Sequence, residues 1–256
     1  MSGRLDGRRV LVTGAASGIG RACVLRLLDE GATVCGADVA EAGLKETAEL
    51  AAAAGAGDRL STEQLDVSDE AAVAATTAAV LTRSGGLDAL VNAAGILRTG
   101  HTHEFGLDSW ERIIAVNLTG TFLTTRAALP ALLDARGVVV NFSSTSAAFG
   151  HPYMAAYAAS KGGIDAFTHA LAVEYAKQGL RAVALQPGSI DSGITRATAG
   201  DLPADVDWAL FGRLMPLLGR GMADPGVVAS VVAMLVSDDG RFITGTGIRI
   251  DGGTHA

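Results

Sequence analysis

Cysteine is almost absent: Cys23 and Cys35 are the only two in 256 residues, the first in a predicted helix and the second in a predicted strand. Neither a disulfide framework nor a structural zinc site is supported. No apolar run reaches the roughly 18 residues that a membrane span needs. Residues 1–9 are charged but run straight into a short apolar strand, not into a signal-peptide core followed by a small-residue cleavage site. Excess positive charge is also missing. The formal net charge of −7 argues against a nucleic-acid footprint and a polybasic membrane patch, although an anionic cofactor held by backbone amides needs no net charge. These absences lead us to expect a cytoplasmic protein with no nucleic-acid and no membrane partner.

Hydrophobic residues make up 49% of the chain and charged residues 18%, enough to bury a sizeable core, and the length fits one α/β domain. Strand-like apolar runs recur at 9–13, 33–37, 60–65, 87–92, 138–142, 182–186 and 247–250. Helix-like segments alternate with them near 18–30, 41–54, 69–83, 108–134, 155–178 and 224–236. This alternation predicts a parallel sheet covered by helices on both faces. Ser68 followed by Asp69 and Glu70 suits a helix start, Asp224-Pro225 suits another, and Gly31 and Gly179 close helices in left-handed cap geometry. The rhythm breaks between Ser189 and Met222. Segments of that length are usually functional, and Trp208, Phe211, Leu214, Met215 and Leu217 make this one apolar. We expect a substrate-binding lid over about 189–222, with core filling beneath a loop as the alternative.

Thr13 to Gly20 reads Thr-Gly-Ala-Ala-Ser-Gly-Ile-Gly between the first strand and the first helix. Glycines there allow a tight turn and close backbone approach to a pyrophosphate, while the helix N-terminus offers unpaired amides. Gly14, Ser17, Gly18, Ile19 and Gly20 are the candidate ligands. The gap between the first two glycines is wider than in G-x-G-x-x-G and points to a related variant. Asp38 ends the second strand, where a carboxylate accepts from both adenosine ribose hydroxyls and repels a 2′-phosphate. Since neither Ser17 nor Val39 supplies a cation, the expected cofactor is NAD. A loop carboxylate capping the next helix is the alternative for Asp38.

Tyr157 and Lys161 share one helix face at i and i+4, with Ser144 upstream. Of the three tyrosines, only Tyr157 has a lysine at that spacing. A fixed ammonium beside a phenol favours the phenolate. Moving a phenol from ~10 to ~7 takes about 4 kcal/mol, much of which one cation in a dry site can supply. Taken alone, the pair equally fits an amphipathic helix surface. His101 and His103 lack a completing ligand set, so we expect solvated loop histidines and no metal site. His151 and Tyr153 are candidate substrate contacts, with plain turn chemistry the alternative at His151-Pro152.

Taken in order, these motifs resemble the short-chain dehydrogenase/reductase family over essentially the whole chain. Thr13 to Gly20 matches the cofactor turn, Asp66-Val67 the adenine-side pair, and Asn92-Ala93-Ala94-Gly95 the Asn-Asn-Ala-Gly segment. Asn117 matches the asparagine of the fourth helix, and Ser144, Tyr157 and Lys161 the catalytic set. Residues Pro187 to Ser192 resemble the Pro-Gly segment near nicotinamide, and Ile250-Asp251-Gly252-Gly253 the C-terminal signature. Ala93 and Ser192 depart from the family pattern, standing where Asn and Thr are usual.

The resemblance implies one Rossmann-like, doubly wound α/β domain over residues 1–256, with a mainly parallel seven-stranded sheet. It implies Tyr157 as general acid/base, Ser144 as partner of the substrate oxygen, Lys161 as phenolate stabiliser and ribose ligand, and Asn117 as holder of a relay water. Asp66, Val67, Asn92, Ala94, Gly95, Pro187, Gly188, Ile190 and Ser192 join the cofactor contacts, as do Tyr157 and Lys161. The activity implied is hydride transfer between NAD and a secondary alcohol or ketone, fairly apolar because the lid is apolar. A 3-oxoacyl thioester reductase is the alternative, opposed by Asp38 because that role usually goes with NADPH. A non-catalytic dinucleotide-binding regulator is another, opposed by the intact Ser144, Tyr157 and Lys161. A homotetramer is implied through helices 108–134 and 155–178 and the C-terminal region, with Phe122, Leu129, Phe167 and Leu171 divided between core and interface.

Overall fold

The computed structural model describes residues 3–219 and 221–256. Its strands are β1 (Arg9–Thr13), β2 (Thr33–Asp38), β3 (Leu60–Gln64), β4 (Ala89–Asn92), β5 (Val138–Phe142), β6 (Arg181–Pro187) and β7 (Thr246–Ile250). They form one sheet in the order β3-β2-β1-β4-β5-β6-β7, and every pairing is parallel. The inner strands read as unbroken apolar runs because both of their faces are covered. Val10 and Val12 of β1 point into one layer and Leu11 into the other, and Ala89 and Val91 of β4 alternate likewise with Leu90.

The first layer is built by α1 (Gly18–Asp29), α2 (Glu41–Ala53) and α9 (Gly226–Val236), through residues such as Val24, Leu44 and Val232. The second is built by α3 (Glu70–Ser84), α5 (Gly120–Asp134) and α6 (Ala155–Tyr175), through Val73, Leu132 and Leu171. Asp69 caps α3 by accepting from the Ala72 amide at 3.0 Å. Ser68, read from the sequence as part of that start, bonds Asp66 instead. Gly31 and Gly179 both have φ in the left-handed region, +104° and +88°, as helix exits at those points require.

The helix expected over 108–134 begins as α4 (Leu107–Ile113), widens into a π-helical segment over Ile114–Thr119, and continues as α5. Such widened turns collect at functional sites, and this one carries Asn117. Between β6 and α9 the insert contains the helices α7 (Gly193–Asp201) and α8 (Trp208–Phe211). Trp208, Met215 and Leu217 are 65%, 58% and 76% exposed, so these three do not fill the core. Among the described residues no helix is long and apolar enough to cross a membrane.

Inside the second layer runs a polar ladder. The Asn92 amide donates to Asn141 Oδ1 at 2.9 Å and to Thr125 Oγ1 at 3.0 Å, Thr124 Oγ1 donates to Asn92 Oδ1 at 2.7 Å, and the Asn141 amide donates to Thr168 Oγ1 at 2.9 Å. All five residues are buried. Asn141→Ala strands one donor at Asn92 and an acceptor at Thr168, at a cost of about 2–3 kcal/mol. We expect urea unfolding to shift to a lower midpoint with an unchanged slope; an unchanged midpoint would show the ladder to be idle.

Candidate active site

The strand order reverses between β1 and β4, and a parallel sheet opens a crevice at the C-terminal ends of its strands at such a point. A cleft of about 280 Å³ lies there. Asn92 and Asn117 apart, every catalytic and cofactor residue named from the sequence lines it. The Asn92 side chain is engaged in the buried ladder and does not line the cleft.

Close backbone packing shapes the floor. Gly14 has φ +73°, and a Cβ there would lie 2.8 Å from the backbone of Ala93 and Ala94. A Cβ on Gly20 would lie 2.0 Å from the Gly14 carbonyl oxygen. The missing side chain at Gly14 lets the turn fold against residues 93–94, and the one at Gly20 lets α1 close onto the turn itself. Ser17 caps α1 without a side-chain capping bond, and the first turn of α1 holds no acid, so the positive helix end faces the cleft unopposed. The donor set fits a dinucleotide phosphate. At the far wall, the Gly188 amide donates to the Ile250 carbonyl at 3.0 Å, and a Cβ on Gly188 would reach within 2.7 Å of Asp251 Cβ. This contact gives the Pro-Gly segment and the C-terminal signature a common physical reason. Ser192 lines the cleft but also forms a reciprocal capping box with Thr195 at the start of α7.

At the adenosine end Asp38 is held by the backbone on either side of it. It lines the cleft, and its carboxylate accepts from the Ala16 amide at 3.0 Å and the Ala40 amide at 2.9 Å, Ala40 being the residue that precedes α2. Each oxygen retains a second lone pair. Asp66 accepts from Ser68 Oγ at 2.6 Å and from Arg112 Nη2 at 3.1 Å. The Ser68 hydroxyl, with Arg112 assisting, holds this carboxyl below the usual range. Arg112 itself lines the cleft; it lies on α4, and no local sequence pattern pointed to it.

On the catalytic side, Ser144 follows β5, and Tyr157 and Lys161 lie on the first turns of α6. Lys161 is 4% exposed. Its Nζ donates to the Phe142 carbonyl at 2.7 Å and sits 5.4 Å from the centre of the Tyr157 ring. A side chain on Gly95 would come within 3.6 Å of that Nζ. Asn117 is fully buried. Its amide donates to the Ile96 carbonyl at 2.9 Å and Ser160 Oγ at 3.0 Å, and its Oδ1 accepts from the Ile96 amide at 2.8 Å. The Asn117 side chain thus pins the loop after β4 to α6.

A family model described as enoyl-(acyl carrier protein) reductase matches residues 14–255. The chain is 35% identical to 2-(S)-hydroxypropyl-CoM dehydrogenase 3 of Xanthobacter autotrophicus over 100% of each sequence. It is 36% identical to 3-oxoacyl-(acyl-carrier-protein) reductase of Thermotoga maritima, over 98% of each. Its fold superposes on the crystal structure of levodione reductase with a TM-score of 0.89 at 34% identity, covering 97% of this chain and 98% of the other. The chain belongs to the short-chain dehydrogenase/reductase family.

The electrostatics of this short-chain dehydrogenase/reductase correct the expectation for its phenol. Burial pushes Tyr157 up to about 12, with the Ser144 hydroxyl pulling the other way. Burial likewise pushes Lys161 down to about 8, with Asp165 opposing. The ammonium sits over the ring face and donates to Phe142, and desolvation is the largest influence on the phenol. Asp165, one turn beyond Lys161 on the same helix face, was missed although its i+4 spacing was visible. Its Oδ2 accepts from Gln186 Nε2 at 2.7 Å, while Oδ1 is buried without a hydrogen-bond partner. His151 Nε2 lies 3.3 Å from Thr145 Oγ1 and is pushed down to about 4 by burial and by His255; neither His151 nor Tyr153 lines the cleft. His101 lies on a loop, partly exposed, and pairs with Asp205 at 2.9 Å.

A lowered lysine pKa means that the unfolded chain binds the proton more tightly than the folded one. The resulting stability is full above about 10.5 and is lost as the pH falls through about 8. Below that value a charged ammonium is held in a dry site at a cost of about 3 kcal/mol. Lys161→Met removes that cost and leaves the Phe142 carbonyl without its donor, worth about 1–2 kcal/mol. We expect the nucleotide-free variant to be about 1–2 kcal/mol more stable than wild type at neutral pH and inactive. Urea unfolding decides, and a less stable variant would contradict the burial argument.

Proposed function

We propose that this oxidoreductase exchanges a hydride between NAD(H) and a fairly apolar secondary alcohol or its ketone. One observation carries the reading: Ser144, Tyr157 and Lys161 open onto the same cleft as the glycine turn. Tyr157 gives or takes the hydroxyl proton at its phenol oxygen, Ser144 holds the substrate oxygen, and Lys161 supplies positive charge and a ribose contact. The nicotinamide cofactor supplies the hydride acceptor or donor, and the chain contributes orientation and control of the oxygen. Asn117 holds the loop that flanks this set, and the segment over 189–222 serves as the lid of a single catalytic domain spanning the chain.

NAD over NADP is favoured by the two carboxylates, Asp38 and Asp66, at the adenosine end. The nearby cations are already engaged: Arg21 with Glu46 at 2.6 Å, and Arg112 with Asp66. An apolar substrate is favoured by Trp208, Met215 and Leu217, exposed on the lid segment. A 3-oxoacyl thioester reductase is the second reading, supported by the likeness to the Thermotoga maritima reductase. Assembly as a homotetramer is favoured by an aromatic pair on α5 and α6: Phe122 is 41% exposed and meets Phe167 edge-on at 6.2 Å. Two free, buried cysteines are compatible with a reducing cytoplasm.

A panel of secondary alcohols and ketones, hydroxysteroids and 3-oxoacyl thioesters, run with NAD(H) and NADP(H) in parallel, tests this reading. Alcohol oxidation with NAD is the expected activity, with Tyr157→Phe losing at least ~100-fold in kcat. Because burial keeps the phenol protonated, ketone reduction should proceed near neutral pH and alcohol oxidation should accelerate as the pH rises. Preference for NADPH with an acyl thioester would select the second reading, and equal activity of Tyr157→Phe would end the proposed mechanism.

A further inference from the structure

Tyr153 has φ +63°, the left-handed region in which a bulky aromatic residue is an outlier. Such a conformation persists where surrounding contacts over-determine it, and it is a pointer to function. Those contacts reach two other segments. The Tyr153 carbonyl accepts from the Gly100 amide at 3.0 Å in the loop after β4. Its hydroxyl accepts at 2.9 Å from the backbone amide of Asp207, the residue whose carboxylate caps α8 by accepting from Ala209. Its ring receives His101 edge-on at 5.2 Å and stacks on Phe211 at 6.1 Å, and Phe211 meets Trp208 at 5.7 Å. Beside them His101 pairs with Asp205 at 2.9 Å, and Thr99 Oγ1 donates to the Asp201 carbonyl at 2.7 Å. One strained residue, four positions before Tyr157, therefore ties together the start of α6, the loop after β4 and helix α8 of the insert.

We propose that Tyr153 is a positioning residue that locks α8 over the substrate side of the active site, with the His101–Asp205 pair setting the strength of the lock. A glycine would adopt φ +63° without strain, so the aromatic side chain is retained for what it grips. The grip joins the lid to the helix that carries Tyr157 and Lys161, so closing the lid and placing the phenol become one event. Charged and titratable groups around His101 are Asp205 from the insert, Glu104 and His103 from its own loop, and the adjacent Arg98–Asp201 pair at 3.6 Å. Asp205 is the first cause of a raised His101 pKa. A raised pKa makes the ion pair complete below the ordinary histidine value, and the pair is lost as the pH rises through the folded-state value. The kinetic consequence rests on the alcohol and ketone reading above; the lock itself does not.

Hydrogen exchange of the full chain, followed over residues 201–211 from about pH 6 to about pH 9 and corrected for intrinsic chemistry, tests the lock. Tyr153→Phe should speed exchange at the Asp207 amide about tenfold, the loss of one hydrogen bond. Tyr153→Gly should speed the whole 201–211 segment at least as much without lowering the melting temperature, since the strain goes with the ring. His101→Gln should flatten the pH dependence that wild type shows. Unchanged exchange over 201–211 in both Tyr153 variants would overturn the lock, as would faster exchange spread evenly over the sheet with a lower melting temperature. With cyclohexanol as probe, Tyr153→Gly should lower kcat/KM about tenfold, mostly through KM for the alcohol, with KM for NAD unchanged. An unchanged KM for cyclohexanol would overturn the positioning role, whereas failure of wild type to oxidise any alcohol would count against the proposed function and leave the exchange result to decide the lock.

Discussion

A half-buried phenol and a buried ammonium lie one helical turn apart on α6, and neither is comfortable there. Burial raises Tyr157 to about 12 and lowers Lys161 to about 8, so each is driven toward its neutral form. The surroundings make partial compensation: Ser144 for the phenol, and Asp165 and the Phe142 carbonyl for the ammonium. Much of the local architecture can be understood as holding these two groups in place. The π-helical turn brings Asn117 to the loop after β4 and to Ser160. The Ser143 hydroxyl donates to the Lys161 carbonyl at 3.0 Å. Functional sites commonly carry such unfavourable burial, offset by packing elsewhere.

The second constraint is the approach of backbone to backbone where the strand order reverses. Gly14 lets the turn after β1 press against residues 93–94, Gly20 lets α1 close onto that turn, and Gly188 lets the segment after β6 press against Asp251. The cleft has the N-terminal turn of α1 in one wall and the Ser144, Tyr157 and Lys161 side chains in another. The glycine turn and the Ser144, Tyr157 and Lys161 side chains share one cleft because the parallel sheet delivers every strand's C-terminal end to the same side.

Much of this was legible in the sequence, for identifiable reasons. β1, β4 and β5 are covered on both faces, so they appear as unbroken apolar runs. The glycine turn is local and carries its own punctuation. The pairing of Tyr157 with Lys161 follows from helical spacing alone. What escaped depended on contacts between distant segments. Arg112 meets Asp66 from another helix, and Asn92 turns into a ladder completed by α5 and α6. The left-handed backbone at Tyr153 is set by the insert and by the loop after β4. The largest discrepancy concerns the phenol: spacing showed that an ammonium is nearby, but not that it lies over the ring face and donates to Phe142.

The central claim is that the protein's own groups leave the Tyr157 phenol protonated at neutral pH; in the proposed reaction, the positive charge of an oxidised nicotinamide cofactor would favour its ionisation. The most direct measurement is an ultraviolet difference titration of tyrosine ionisation, wild type minus Tyr157→Phe, with and without NAD. Without nucleotide the midpoint should lie above the ~10 of free tyrosine, toward about 12, and NAD should lower it. A midpoint already near ~7 without nucleotide would contradict the account and return the task of activating the phenol to Lys161 alone.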